Sequence, residues 1–320
     1  MSAVNHPEIA AFATDKVNLP HDSAVKYRSQ VQGLRDRLQA KIKVDPSFDL
    51  VKMLHSGSVA KGTALRNVND LDVAVYVKAG AAPASDAELI PWLADRLREA
   101  NPNMNADQFE PQDHCVTVRF RGSGLDVDVV PVLYEGDDND YGYLVRKYTG
   151  ERVLTSIPRH LEFIRSRKQA HGDDFKQLIR LTKWWKRIEL NRNPNFRFKS
   201  FMIELLWAKI VDEGQSLKDY PEAMEAFFAY IVTSELREQV AFTDFFPRSA
   251  IPARSTRAIE VLDPVNLLNN VGGRYSDSDR QLIVVAAHNA LDAIGEAKYA
   301  TTKGDAVGCW QDILGTGFKG

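Results

Sequence analysis

The chain has 320 residues, a formal net charge of −2 and an apolar fraction of 44%, which together indicate a globular protein with a sizeable core. Two cysteines are too few for a disulfide framework, and no apolar run reaches the roughly 18 residues of a membrane span. The N-terminus lacks the basic and apolar regions of a secretory signal, so a cytoplasmic protein is expected. Proteins of long nucleic acids usually carry a strong basic excess, so the near-neutral charge favours a small anionic ligand.

Helix and strand signals alternate in the first half of the chain. Apolar residues spaced by three and four predict a helix over 22–43, with Asp22 or Ser23 as its N-cap. A second helix is predicted over 86–100. This order of elements is typical of a mixed α/β lobe.

Three strands are predicted from alternating apolar and polar residues, over 70–77, 115–121 and 125–131. Pro131 either ends the third strand or marks it as an edge strand. Strand side chains alternate between the two faces of a sheet. The carboxylates that share the non-apolar faces of the first and third strands are Asp70, Asp72, Asp126 and Asp128.

The second half of the chain is predicted to be helical. Apolar periodicity predicts helices over 174–190, 199–211, 221–233 and 276–298. We therefore expect an α/β lobe with a long N-terminal helix over 1–155, followed by an all-helical lobe over 156–320.

The acidic residues of the strands indicate a two-metal site. Two Mg²⁺ ions about 3.5–4 Å apart suit phosphoryl transfer, and hard cations prefer carboxylate oxygens. Asp70 and Asp72 would bridge both ions, and a third carboxylate would complete the ion that binds the attacking hydroxyl. An Asp-x-Asp pair is often only a solvated strand edge, but these carboxylates interrupt runs of Val and Leu, where desolvating them without a counter-ion is costly. Alternation does not choose between Asp126 and Asp128.

A glycine-serine pair before the first strand supplies a candidate phosphate site. Gly57 would let the backbone approach a phosphate closely, and Ser58 would donate its hydroxyl and amide to the phosphate. A helix beginning here would add a favourable dipole. Lys61 lies in the same loop, where an ordinary exposed lysine is the alternative.

Gly57-Ser58 followed by Asp70-Leu71-Asp72 resembles the signature of the DNA-polymerase-β-like nucleotidyltransferases. The stretch 57–63 resembles more narrowly the bacterial CD-NTases, the cyclic-oligonucleotide synthases of CBASS antiphage signalling. The resemblance covers about residues 55–295. It implies a nucleotidyltransferase core, a mixed sheet with helices, followed by an oligoadenylate-synthase-like helical domain.

The third carboxylate and the helical-lobe residues take their roles from this resemblance. The stretch 127–131 resembles the oligoadenylate synthase strand that carries the third carboxylate, which selects Asp128. The resemblance also assigns Lys183 and Ser200 to the triphosphate, Phe201 to stacking on the donor base and Asp263 to nucleotide binding. The respective alternatives are a solvated helix face, an N-cap, plain core and a turn.

The resemblance implies a Mg²⁺-dependent enzyme that makes a cyclic oligonucleotide second messenger from ATP, with cyclic triadenylate as the expected product. The chain looks most like the clade C enzymes, which implies a HORMA-domain protein as activator. It lacks a Cys/His cluster like the zinc insertion of animal cyclic GMP-AMP synthases, which argues against activation by duplex DNA. The alternatives are a linear or RNA-tailing polymerase, a protein-nucleotidylating transferase and a catalytically dead scaffold. Base choice, ring size and linkage stay open.

Overall fold

The computed structural model describes residues 4–44, 50–66 and 70–320, and the chain divides into two compact units. The sheet unit is Leu19–Glu162, and the helical unit joins Met1–Asn18 to Phe163–Gly320. This division differs from the prediction of an α/β lobe over 1–155, which includes the N-terminal segment. The segment belongs to the helical unit because helix α1 (His6–Phe12) buries apolar side chains there, with the Phe12 ring 6.0 Å from that of Trp184.

Seven strands form one sheet within the described part of the sheet unit. They are β1 (Leu50–His55), β2 (Asp70–Lys78), β3 (Phe109–Pro111), β4 (Val116–Phe120), β5 (Leu125–Tyr134), β6 (Gly142–Val145) and β7 (Arg152–Thr155). The order is β1-β2-β5-β4-β3, with β6 paired to β5 and β7 to β6. The β2–β5 pair is parallel and the others are antiparallel, so this is the mixed sheet that the sequence predicted.

Helices of the sheet unit are α2 (His21–Val44), α3 (Gly57–Lys61) and α4 (Leu89–Ala100), and α5 (Ile157–His171) contains the boundary between the units. The N-cap predicted for α2 is wrong. This helix already begins at His21, because the carbonyl of Pro20 accepts a hydrogen bond from Ala24 N at 3.0 Å. Asp22 and Ser23 therefore lie in the first helical turn, where the negative charge of Asp22 interacts favourably with the positive end of the helix dipole.

The core of the sheet unit follows the predicted alternation. The apolar residues of β2 that pack with α2 and α4 are Leu71, Val73, Val75 and Val77. On the other face of β2, Ala74 and Tyr76 are also buried. On this face of β2, the half-buried Asp72 precedes the buried Ala74 and Tyr76, and the exposed Lys78 follows them.

Pro131 does not end β5, contrary to one reading of the sequence. The strand continues to Tyr134, with Pro131 opposite Val75 in the parallel pair. On its other side, β5 pairs with β4 as far as Val129 and with β6 from Val132. Pro131 lies in the gap between these two neighbours, where a missing N–H costs the ladder least.

The helical unit contains α6 (Asp174–Arg192), α7 (Ser200–Asp212), α8 (Tyr220–Ser234), α9 (Asp277–Tyr299) and α10 (Lys303–Leu314). The first four match the predicted helices to within two residues at each end, whereas α10 was not predicted. Their core is aromatic, with Trp185, Trp207 and Phe227 fully buried. None of the helices in the described part of the chain has the length and apolar character that a membrane span requires.

A small sheet corrects the expectation that the second lobe is all helical. It consists of β8 (Gln239–Val240), β9 (Glu260–Asp263) and β10 (Asn266–Asn270). These strands have two to five residues, which is too short for periodicity to reveal them.

Candidate active site

Two predicted carboxylates are neighbours across the parallel β2–β5 pair. Asp72 and Asp128 are Cα partners in the register of these strands, as are Asp70 and Asp126. Paired residues of parallel strands present their side chains on the same face of the sheet. Asp72 and Asp128 therefore lie side by side, and both are half-buried. The backbone of Asp70 begins β2, but its side chain lies outside the described part of the structure.

Gly57 packs directly against Asp72. A Cβ atom on Gly57 would lie 1.7 Å from Asp72 Oδ2, and the backbone here has a φ of +63°. The adjacent Ser56 N donates a hydrogen bond to the backbone oxygen of Asp72 at 2.9 Å. The structure therefore brings the predicted phosphate loop onto the first acidic strand, and glycine is needed for this close approach.

Helix α3 begins at Gly57, so the conditional helix of the sequence analysis is present. Ser58 lies in its first turn and Lys61 is its last residue, before a left-handed Gly62 at φ +71°. The Ser58 carbonyl accepts a hydrogen bond from Thr63 N at 2.8 Å, which closes the loop. The first amides of a helix have no partner within the helix, and here they lie in the segment that contacts Asp72.

Asp128 is held by a hydroxyl that the sequence did not single out. Thr117 Oγ1 on β4 donates to Asp128 Oδ1 at 2.6 Å. Burial raises the pKa of the nearby Cys115 thiol to about 12, with further contributions from the negative charges of Asp128 and Asp72. The negative charges of both carboxylates thus raise the pKa of the same thiol. Thr117 could not be predicted as a site residue because it meets Asp128 only through the pairing of β4 with β5, which alternation within one strand does not reveal.

Asp126 has a different environment from Asp128. Its Oδ2 lies 4.0 Å from Arg119 Nε, and the side chains of Asp126 and Arg119 are 42% and 48% exposed. Asp126 thus faces a cation, whereas Asp128 faces a hydroxyl. Among the described side chains, no three His, Cys, Asp or Glu residues form a metal-binding group, and Asp70 lies outside that comparison.

Lys183 is buried in the helical unit, so the solvated helix face that was its alternative is wrong. The side chain is 5% exposed, and its Nζ lies 2.6 Å from Glu204 Oε1, which is 3% exposed. Glu204 lies on α7. A buried ion pair is stable only while both partners remain, so Glu204 fixes the Lys183 ammonium in place.

Ser200 is the first residue of α7, and Lys199 occupies the N-cap position that was its alternative role. Lys186 Nζ donates to Ser200 Oγ at 2.8 Å. Burial lowers the pKa of Lys186, and the nearby charge of Lys183 lowers it further. Lys186 was not among the predicted site residues, although its spacing of three from Lys183 places both lysines on one face of α6.

The remaining assignments fall on two different environments. Phe201 is half-buried on α7, so it is not the plain core residue that was its alternative. Asp263 is buried, with Oδ1 accepting from Val265 N at 2.9 Å and Oδ2 accepting from Asn269 Nδ2 at 3.0 Å. These contacts are those of the turn that was kept as the alternative for Asp263.

Comparison with known proteins identifies the family. The chain is 49% identical over 317 residues to the cyclic AMP-AMP-AMP synthase of Escherichia coli strain MS 115-1, an alignment that covers 99% of this chain and 98% of the relative. It is 31% identical over 321 residues to the CBASS oligonucleotide cyclase CdnC of Escherichia coli strain KTE188, covering 99% and 98%. The chain belongs to the CD-NTase family of CBASS oligonucleotide cyclases. No family model matches the chain.

Solved structures place this CD-NTase among the CdnC enzymes. The structure of E. coli MS115-1 CdnC with ATP is 48% identical with a TM-score of 0.93, covering 99% of this chain and 100% of that one. The same enzyme in a complex with HORMA-deltaN gives a TM-score of 0.92 at 48% identity, covering 99% of both chains. Vibrio cholerae DncV with GTP shares the fold at 14% identity, with a TM-score of 0.71 and coverage of 99% and 96%. The predicted nucleotidyltransferase fold and the clade C resemblance are therefore confirmed.

Proposed function

We propose that this CD-NTase is a Mg²⁺-dependent cyclase that converts ATP into cyclic triadenylate. The observation that carries the proposal is the β2–β5 register, which sets Asp72 beside Asp128 with Gly57 packed on Asp72. Support for the product comes from the relative named cyclic AMP-AMP-AMP synthase, which aligns with nearly the whole chain. The free thiols and the need for ATP favour a cytoplasmic location.

The oxygen atoms beside the Gly57 loop fit magnesium. Asp72 and Asp128 offer carboxylate oxygens on one face, and the hydroxyl of Thr117 holds Asp128 in orientation. Hard divalent cations prefer such oxygen ligands. We assign Asp70, Asp72 and Asp128 as the residues that hold two Mg²⁺ ions. Bound there, the ions would supply charge neutralisation for the phosphates and acidify the attacking hydroxyl.

We assign phosphate-binding roles to residues of the sheet unit and, separately, to residues of the helical unit. In the sheet unit, Gly57 and Ser58 at the start of α3 would hold the β- and γ-phosphates, with Lys61 at the end of that helix. In the helical unit, Lys183 and Ser200 would contact the triphosphate. The short Lys183–Glu204 ion pair supports a fixed position for this ammonium.

Two further assignments in the helical unit concern the nucleotide base and its surroundings. Phe201 is half-buried and would stack on the donor base. Asp263 would contribute to nucleotide binding by holding the turn that its carboxylate organises.

The chemical step is an in-line displacement at the α-phosphate. A ribose hydroxyl oxygen forms a bond to the α-phosphorus, the bond to the bridging oxygen breaks and pyrophosphate leaves. Asp128 would take the hydroxyl proton, and the hydrogen bond from Thr117 to one of its oxygens supports a fixed orientation for this role. Repetition of the step and ring closure would give the cyclic product.

A HORMA-domain protein is the proposed activator. The 48% identical E. coli CdnC has been solved in a complex with HORMA-deltaN, and the likeness covers 99% of both chains. We extend that partnership to this chain.

The test is incubation of the purified chain with ATP, Mg²⁺ and its HORMA-domain partner, followed by mass spectrometry. We expect a phosphatase-resistant cyclic trimer of AMP, and its loss in Asp72→Asn and in Asp128→Asn. The matched control is Asp126→Asn, which changes the neighbouring carboxylate on the same strand and should keep most of the activity. Products that are only linear, or a labelled RNA or protein, would contradict the cyclase assignment.

A further inference from the structure

A pocket of about 370 Å³ opens in the helical unit beside the start of α7. Among the residues that the structure describes, its lining carries four cationic side chains, Lys186, Arg197, Lys199 and Arg274, and one carboxylate, Asp279. The lining therefore has an excess of three positive charges, in a chain whose total charge is slightly negative. Such a local excess favours an anionic ligand.

The one carboxylate of this pocket is already engaged. Asp279 Oδ2 accepts hydrogen bonds from Ser276 N at 2.9 Å and from Ser276 Oγ at 2.7 Å, as part of the capping box of α9. These hydrogen bonds lower the pKa of Asp279, with a smaller effect from the charge of Arg197. Asp279 thus stabilises the helix start and offsets only part of the positive charge.

Lys186 carries a desolvated charge that no carboxylate offsets. Among the described residues it forms no ion pair, and its ammonium donates to the neutral hydroxyl of Ser200. Burial lowers its pKa, so the protonated form has lost hydration without gaining a counter-charge. Lys183, one turn earlier, differs because Glu204 neutralises it. An anion in the pocket would restore the lost stabilisation of Lys186.

The apolar side of the pocket is rigid. Phe196 and Phe198 are buried, with their rings 5.9 Å and 6.2 Å from that of Trp185 in edge-on contacts. On the cationic side, Lys199 Nζ donates to the Val271 carbonyl at 2.8 Å. Lys186 is half-buried beside this apolar wall, so its charge is less screened by water than the exposed charges of Arg197, Lys199 and Arg274.

We propose that this pocket binds a polyphosphate, with Lys186 and Arg274 as ligands. Several cations spread around one pocket suit an anion of several charges better than a single carboxylate. The contact of Lys186 with Ser200 joins the pocket to the residue assigned to the triphosphate, so the inference deepens the proposed function and rests on it. The shared chemistry has two sources, the tail of a nucleoside triphosphate and the released pyrophosphate.

The test measures inorganic pyrophosphate binding to the full chain by calorimetry, without divalent cations so that the acidic residues do not contribute. Lys186→Met should weaken binding at least tenfold, or about 1.4 kcal/mol. Arg274→Gln, at an exposed position, should weaken it several-fold without disturbing folding, and Lys186→Arg should restore most of the affinity. Lys176→Met is the matched control, because Lys176 is a half-buried lysine of α6 outside the pocket.

The proposal is overturned if the wild-type chain does not bind pyrophosphate at millimolar concentrations. It is also overturned if Lys186→Met, Arg274→Gln and Lys176→Met bind pyrophosphate with equal affinity. The two sources separate in kinetics. A raised KM for ATP in Lys186→Met identifies the triphosphate tail, whereas lost pyrophosphate inhibition at an unchanged KM identifies the released product. If pyrophosphate binds as expected and no cyclic product forms with the HORMA-domain partner, the proposed function fails and the pocket stands.

Discussion

Replacing Gly57 with alanine tests whether the α3–β2 contact controls activity. A Cβ atom keeps at least 3.0 Å from other heavy atoms, and here it would meet Asp72 Oδ2 at 1.7 Å, so the carboxylate must retreat by about 1.3 Å. Rotation of the side chain does not relieve this clash, because Asp72 Cβ would also be only 2.7 Å away. A misplacement of about 1 Å can cost roughly 100-fold in rate, and a left-handed alanine costs about 1–2 kcal/mol of stability.

The matched control is Gly124→Ala. Gly124 has a similar φ of +68° but no heavy atom within 4 Å of the added Cβ, so it carries the backbone strain without the clash. We expect both variants to lose stability in urea unfolding, and only Gly57→Ala to lose about 100-fold in cyclic product formation from ATP. If Gly57→Ala turns ATP over as fast as Gly124→Ala, the contact with Asp72 does not control the site.

Three further predictions follow from named contacts. Thr117→Val removes the hydroxyl that orients Asp128, so it should lower kcat about tenfold. The free energy of unfolding in urea should change by only roughly 1 kcal/mol. An unchanged kcat refutes the orienting role. Glu204→Leu should cost about 3–5 kcal/mol because the buried Lys183 ammonium then loses the Glu204 carboxylate. Lys183→Met combined with Glu204→Leu should regain stability but not activity, and full activity of the double variant contradicts the assigned role. Burial raises the pKa of Tyr76 to about 12, so its contribution to stability is complete below pH about 10 and lost as pH rises towards 12. The stability advantage of wild type over Tyr76→Phe should shrink across that range in urea titrations, and a constant difference would exclude this linkage.

The order of the helices and strands, and the strands that carry the acidic residues, could be predicted from the sequence because they depend on local periodicity. Alternation in β2 placed Val73 and Val75 in the core and Asp72 on the other face, and the structure agrees. Long amphipathic helices such as α6 and α9 were likewise predicted to within two residues. Predictions were wrong where the neighbouring strands decide the outcome and the local sequence does not. Pro131 does not end β5, because the antiparallel partner of β5 changes at that residue.

The contacts between side chains of the site were not readable in this way. Thr117 is eleven residues from Asp128 along the chain and meets it only through the β4–β5 register. Glu204 meets Lys183 because α6 and α7 pack together, which no single-helix pattern reveals.

The sequence by itself determined the family, the acidic strands and the Gly57-Ser58 loop, because residue type and short spacing carry this information. Tertiary structure alone decided that Asp72 and Asp128 are neighbours, that Gly57 leaves room for the Asp72 carboxylate, and that Lys186 lines a cationic pocket. The physical reason is that strand register and helix packing are set by the burial of whole faces. Many residues far apart in the chain contribute to that burial together.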